Sequence, residues 1–206
     1  MRSVLCLLFA LCVLTAPARA HDPCTNLDKR GWSFDPYTLT DARVVRIFNA
    51  VYARSGIRAP VRLCEYVRGV ESPHAIKHYV SRLKYRAAVF MPEYFVDTAT
   101  DDELRGVFAH ELGHIYLLSL SMKEALLRFG RAPSFLSIEI ACDAFGARLV
   151  GARAVLQGMH KVIERMRPTQ MVSEQPTLMD KEISERTKEL LASARVEDES
   201  LNPPRP

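Results

Sequence analysis

The stretch from Thr100 to Ile115 constrains this chain more than any other. Thr100 followed three places later by Glu103 is a capping box, in which each side chain bonds the other's backbone N–H and starts a helix. Behind it Leu104, Val107, Phe108, Leu112 and Ile115 recur at helical spacing, an apolar stripe that has to face a core. The same helix carries His110-Glu111-Leu112-Gly113-His114. A spacing of four puts both imidazoles on one face, where they can grip one Zn²⁺. Glu111, one step around the helix, can take a proton from a metal-activated water without being a ligand. The plainer alternative is two histidines on a partly exposed helix face.

A catalytic zinc needs three protein ligands and an open position. The compact motif with a third histidine two turns on is excluded, because Leu117 and Leu120 occupy the required places. Glu139-Ile140-Ala141-Cys142-Asp143 offers two carboxylates four apart on one face of a following helix. The intervening chain is long enough for a turn and an antiparallel return. Taken alone such a pair is usually a solvated face. Here Phe135, Leu136, Ile138 and Ile140 surround Glu139, and a carboxylate in apolar company needs a partner. Glu139 is the expected third ligand. Asp143 is expected to accept a hydrogen bond from the non-metal nitrogen of His110 and fix its ring. Ala141, Cys142, Ala144 and Gly146 are small enough to let this helix pack closely on the first.

The rest of the chain reads as one domain with trimmings. Arg2, the apolar run Val4 to Leu14 and the small-x-small site Ala18-Arg19-Ala20 spell an export signal over residues 1–20, cleaved near His21. The run is too short for a membrane span, so the mature protein is expected to be periplasmic or secreted, without stable membrane insertion. Removing Arg2 and Arg19 takes the formal charge from +4 to about +2. With no basic stripe either, nucleic acid is excluded as a partner. Three of the five cysteines remain: Cys24, Cys64 and Cys142. In an oxidising compartment they allow one disulfide and one spare thiol. Cys24 with Cys64 is the expected pair, because Cys142 sits in an apolar helical pattern.

Residues 21–38 read as an irregular lead-in, residues 39–195 as the domain, and residues 196–206 as a disordered tail. Helices are expected over about 41–54, 134–150 (closed by Gly151), 154–166 and 180–194. Strands are expected over 61–70, 75–80 and 87–91.

Thr100-Asp101-Asp102-Glu103-Leu104 leading into His110-Glu111-Leu112-Gly113-His114, with Glu139 to Asp143 and Ala144 to Arg148 downstream, resembles the HtpX-type gluzincin metallopeptidases, which include the CAAX prenyl endopeptidases. The resemblance covers roughly residues 40–192. It implies an α+β, helix-rich zincin-like domain with a short, mostly antiparallel sheet whose edge strand binds extended peptide. It implies one zinc per chain held by His110, His114 and Glu139, with Glu111 as general base and acid, and a polypeptide substrate. Many relatives carry a His-Pro pair near the last helix, where this chain reads Gln175-Pro176-Thr177-Leu178. His160, Arg186 and Tyr94 are therefore the candidates for steadying the oxyanion. Two other readings stand beside the endopeptidase. One is a non-catalytic, zinc-stabilised binding or chaperone-like protein, which would gain if Cys142 were a ligand. The other is a zinc hydrolase of a different substrate.

Overall fold

The computed structural model describes residue 24 and residues 37–66, 73–81, 84–120, 124, 127, 130, 134–166 and 178–201. The export signal, most of the lead-in, residues 67–70 of the strand expected over 61–70 and the last five residues of the tail lie outside the described residues.

Helix α1, Ala42–Arg54, starts where Asp41 accepts a hydrogen bond from the Val44 N–H at 2.8 Å. It buries Val44, Ile47, Phe48 and Val51, the four positions that share one helical face. Strands β1 (Tyr37–Thr38), β2 (Val61–Tyr66), β3 (His74–Ser81) and β4 (Lys84–Pro92) form one sheet in the order β1-β2-β4-β3. Two pairings are antiparallel, β1 with β2 and β3 with β4, and the central β2–β4 pairing is parallel. The short sheet is thus mixed around a parallel centre. β3 folds back outside β4 as its hairpin partner, which leaves the inner edge of β4 to β2. β1 falls at the end of the span expected to be irregular.

β2 alternates imperfectly in sequence because both faces of the sheet are covered. Leu63, Ala87, Val89 and Met91 join the main core with α1 and the helices below. Cys64, Tyr66, Ala88 and Phe90 form a second cluster with Cys24, which is disulfide-bonded to Cys64 across 5.9 Å between Cα atoms.

Pro92 ends β4 and also caps a helix that periodicity does not reveal, α2 (Glu93–Thr98). Arg43 of α1 donates to the carbonyls of Val96 and Ala99 at 3.2 and 2.8 Å, satisfying acceptors that the end of α2 leaves open. Helix α3, Asp101–Leu117, follows at once, with both bonds of the Thr100–Glu103 capping box in place. Leu104, Phe108, Leu112 and Ile115 are wholly buried in the main core, and the Phe108 ring meets Phe48 edge-on at 5.3 Å. Each such side chain contributes roughly 1.5–3 kcal/mol by leaving water.

Helix α4 (Phe135–Val150) is capped by Ser134 and closed by Gly151, whose φ of 87° suits only glycine. Helices α5 (Ala152–Met166) and α6 (Leu178–Leu201) complete the fold. α6 runs past the expected end at 194 into the span expected to be a disordered tail, since nothing from Ala194 to Leu201 breaks a helix. Leu190 and Ile183 of α6 pack with Ala147 of α4 and Ala152, Val155, Met159 and Ile163 of α5.

Two glycines set how closely α3 is gripped. A Cβ on Gly106 would collide with the Ala154 carbonyl of α5. A Cβ on Gly113 would lie 2.9 Å from the Cys142 Cα of α4. Both are backbone contacts, so neither neighbour can simply rotate away.

Candidate metal centre

The α3–α4 contact at Gly113 brings the two sequence motifs face to face. His110 Nε2 and His114 Nε2 lie 3.1 Å apart, with the rings crossed at 83°. Glu139 of α4 reaches both: Oε2 is 3.3 Å from His110 Nε2, and Oε1 is 3.3 Å from His114 Nε2. The three donor atoms lie within 4.8 Å of one another and could hold a metal ion. Two imidazole nitrogens and a carboxylate oxygen are a donor set that suits zinc.

Glu139 is buried, though not by its own helix neighbours. Phe135 is exposed, and Leu136, Ile138 and Ile140 are only half-buried. The cover comes instead from α3 and from Arg186 of α6, whose Nη1 lies 3.0 Å from Glu139 Oε2. Glu139 thus joins the group that could hold a metal ion, but its cover is not the apolar company that its sequence neighbours suggest.

The far nitrogens of the two rings are also engaged, by consecutive residues of α4. Asp143 Oδ1 is 2.7 Å from His110 Nδ1, and Cys142 Sγ is 3.3 Å from His114 Nδ1. Arg186 donates to Asp143 twice, from Nε at 2.7 Å and from Nη2 at 3.0 Å. It therefore ties Asp143 and Glu139 together from the far side. This bidentate geometry is what a guanidinium does better than an ammonium.

These contacts outweigh burial in setting protonation. Burial alone would lower the His110 pKa, but its bonds to Asp143 and Glu139, with the charge of Glu111, push it up to about 10. Burial would raise the Glu139 carboxyl, yet bonds from His110 and His114 hold it well below the usual carboxylate range. Asp143 is likewise lowered against its burial, by His110 and Arg186. Burial, reinforced by the charges of Glu139, Glu111 and Asp143, pushes the Cys142 thiol up. The bonds to Asp143 and Glu139 favour the protonated form of the His110 ring.

Glu111 sits beside this group and is buried, and its Oε2 has no hydrogen-bond partner among the described residues. A buried carboxylate oxygen left unpaired costs about 1–3 kcal/mol. Such an atom is kept where a ligand or water completes it.

Of the three oxyanion candidates, only Arg186 is placed in contact with the group. His160 is exposed on α5. Tyr94 belongs to α2 and packs against the main core, its ring 6.0 Å from Phe95. Cys142 presents its sulfur to the far nitrogen of His114, behind the three donors rather than among them. Sequence reading does not find that contact. The signal available is the adjacency of Cys142 to Asp143, whose partner ring is one turn away from its own.

The sequence model of peptidase family M48 matches residues 38–171, about two thirds of the chain and all of the donor group. No curated protein and no solved structure matches the chain.

Proposed function

The chain belongs to peptidase family M48, the zinc metallopeptidases of the HtpX and CAAX-protease type, and from that premise we propose that it is an endopeptidase cleaving polypeptides in the cell envelope or outside the cell. His110, His114 and Glu139 would hold one zinc ion. Bound there, zinc supplies a Lewis acid that polarises the scissile carbonyl and makes water easier to deprotonate. Glu111 takes the proton from the attacking water and returns it to the leaving amine as the C–N bond breaks. Asp143 fixes the His110 ring through Nδ1, leaving Nε2 for the metal. Arg186 keeps Asp143 and Glu139 in register and offsets their charge.

The observation that carries this reading is the unpartnered, buried Glu111 Oε2 next to three converging donors. A site whose metal only stabilises the fold gains nothing from a carboxylate kept unpaired. Structural zinc also takes four protein ligands, commonly thiolates, and the Cys142 sulfur meets the far nitrogen of His114, outside the group of three donors. An envelope location is supported by the export signal read at the N-terminus and by the Cys24–Cys64 disulfide, since such bonds persist in oxidising compartments. Among the described residues no helix is long and apolar enough to cross a membrane.

The test uses the zinc-loaded chain with casein as an unfolded substrate. Glu111→Gln should bind as much zinc as the native chain while its cleavage falls about 10²–10⁴-fold, the usual worth of a general base. A variant that cleaves as well as the native chain removes Glu111 from the chemistry. Zinc uptake by both with cleavage by neither favours the binding-protein reading.

A further inference from the structure

We propose that Cys142 is a positioning residue of the metal centre, its sulfur accepting the Nδ1–H of His114 so that Nε2 is presented to the metal. The inference rests on the metal-centre reading and extends it to the second ring.

A neutral imidazole that binds metal through Nε2 carries its remaining proton on Nδ1, and that proton needs an acceptor. For His110 the acceptor is Asp143, at 2.7 Å. For His114 the atom in that place is Cys142 Sγ, at 3.3 Å, well inside the range for a bond to sulfur. The same helix supplies both, from consecutive residues. Glu139, one turn earlier, meets both Nε2 atoms. One face of α4 thus addresses all four imidazole nitrogens.

The placement is held rigidly. Cys142 is fully buried, and its Cα and Cβ would lie 2.9 and 3.1 Å from a Cβ on Gly113. The side chain next to His114 in sequence is therefore absent to let the sulfur come near. Cys142 is also free of any disulfide, Cys24 being paired with Cys64. A larger acceptor would not fit at this spacing. A second carboxylate would add charge beside Glu111, Glu139 and Asp143. A thiol is small and neutral, and accepts weakly. At their Nδ1 atoms the two rings are consequently unequal: His110 meets a carboxylate that Arg186 holds in turn, and His114, among the described residues, meets the sulfur of Cys142.

The rival explanation is that Cys142 only fills space between α3 and α4. Serine keeps an acceptor and alanine removes it, while the two differ little in volume. Zinc affinity is measured by competition with a chelator on the native chain, Cys142→Ala and Cys142→Ser, each checked for unchanged helicity and melting temperature. The expected result is about a tenfold loss for Cys142→Ala, the low end for such outer contacts, with Cys142→Ser within about threefold of native. A second readout does not need the alanine variant. In zinc-loaded protein the His114 Nδ1–H resonance, seen by imidazole ¹H–¹⁵N correlation, should shift when sulfur becomes oxygen. Equal affinity for native and Cys142→Ala overturns the proposal, as does equal loss in both variants or an Nδ1–H signal indifferent to Cys142→Ser. If the native chain takes up no zinc, the metal centre itself fails and this inference falls with it. If native uptake is intact, failure is confined to Cys142.

Discussion

Helix α3 is gripped in two places, and the two grips do different things. Near Gly106 it meets α5 through the Ala154 carbonyl, with Val107 and Val155 around the contact. Near Gly113 it meets α4 through Cys142, and the side chains around that contact are His110, His114, Glu139 and Asp143. Both rely on a missing Cβ. The first uses closeness to bury apolar surface. The second uses it to bring nitrogen and carboxylate atoms within 3.3 Å across two helices. Packing at the second site costs stability, because buried charges have to be paired, and returns geometry. The fold can bear that cost because the first grip, and the core beneath it, are free of charge.

If this division is right, the largest loss of stability should come from unpairing the charged grip. Arg186→Ala leaves the buried Asp143 and Glu139 without their guanidinium, with His110 and His114 as their remaining partners among the described residues. Breaking a buried pair in this way costs about 3–5 kcal/mol, to be read from denaturant unfolding of the metal-free chain. Arg186→Lys should recover only part of it, since an ammonium cannot reproduce the fork to both carboxylates. A loss below about 1 kcal/mol, the range of an exposed pair, would mean that α6 is not what holds these carboxylates.

The two glycines provide the direct contrast. Gly106→Ala and Gly113→Ala should each cost about 1–3 kcal/mol or somewhat more, as overpacking against backbone does. Only Gly113→Ala should also weaken zinc binding in the folded protein. Equal weakening by both would show that the grips are not separable.

The smallest effect is in the pH dependence of the metal-free chain. The Asp143 pKa in the folded protein lies below its ordinary value of 3.8. Its contribution is therefore complete above that value and lost as pH falls through the depressed one. His110 behaves oppositely. Its folded pKa of about 10 lies above the ordinary 6.5, so its contribution is complete below 6.5 and lost as pH rises towards 10. The stability gap between the native chain and Asp143→Asn should narrow at both ends. A gap that stays flat from acid to alkaline pH would separate the His110–Asp143 bond from folding.

The same division explains what sequence reading could reach. The Thr100–Glu103 box and the stop at Gly151 are local, and each was legible because its hydrogen bonds lie within one helical turn. The histidine pair and the Glu139–Asp143 pair were legible because helical spacing places each on one face. α2 was not, because six residues are too few to show a period. The parallel pairing of β2 with β4 depends on which strand edge is free after β3 folds back, a choice made in three dimensions. The Cys142–His114 contact spans 28 residues, and in sequence a buried cysteine in a helical pattern looks like any small core residue.

On the proposed reading His110, His114 and Glu139 hold one zinc ion and Cys142 stands behind them. X-ray absorption at the zinc edge of the loaded chain tests it most directly. The expected result is one zinc per chain with only nitrogen and oxygen in the nearest shell, two of the scatterers being imidazoles, and the imidazole signal halved in His114→Ala. A sulfur shell at about 2.3 Å, the distance of a zinc–thiolate bond, would make Cys142 a ligand and overturn that reading.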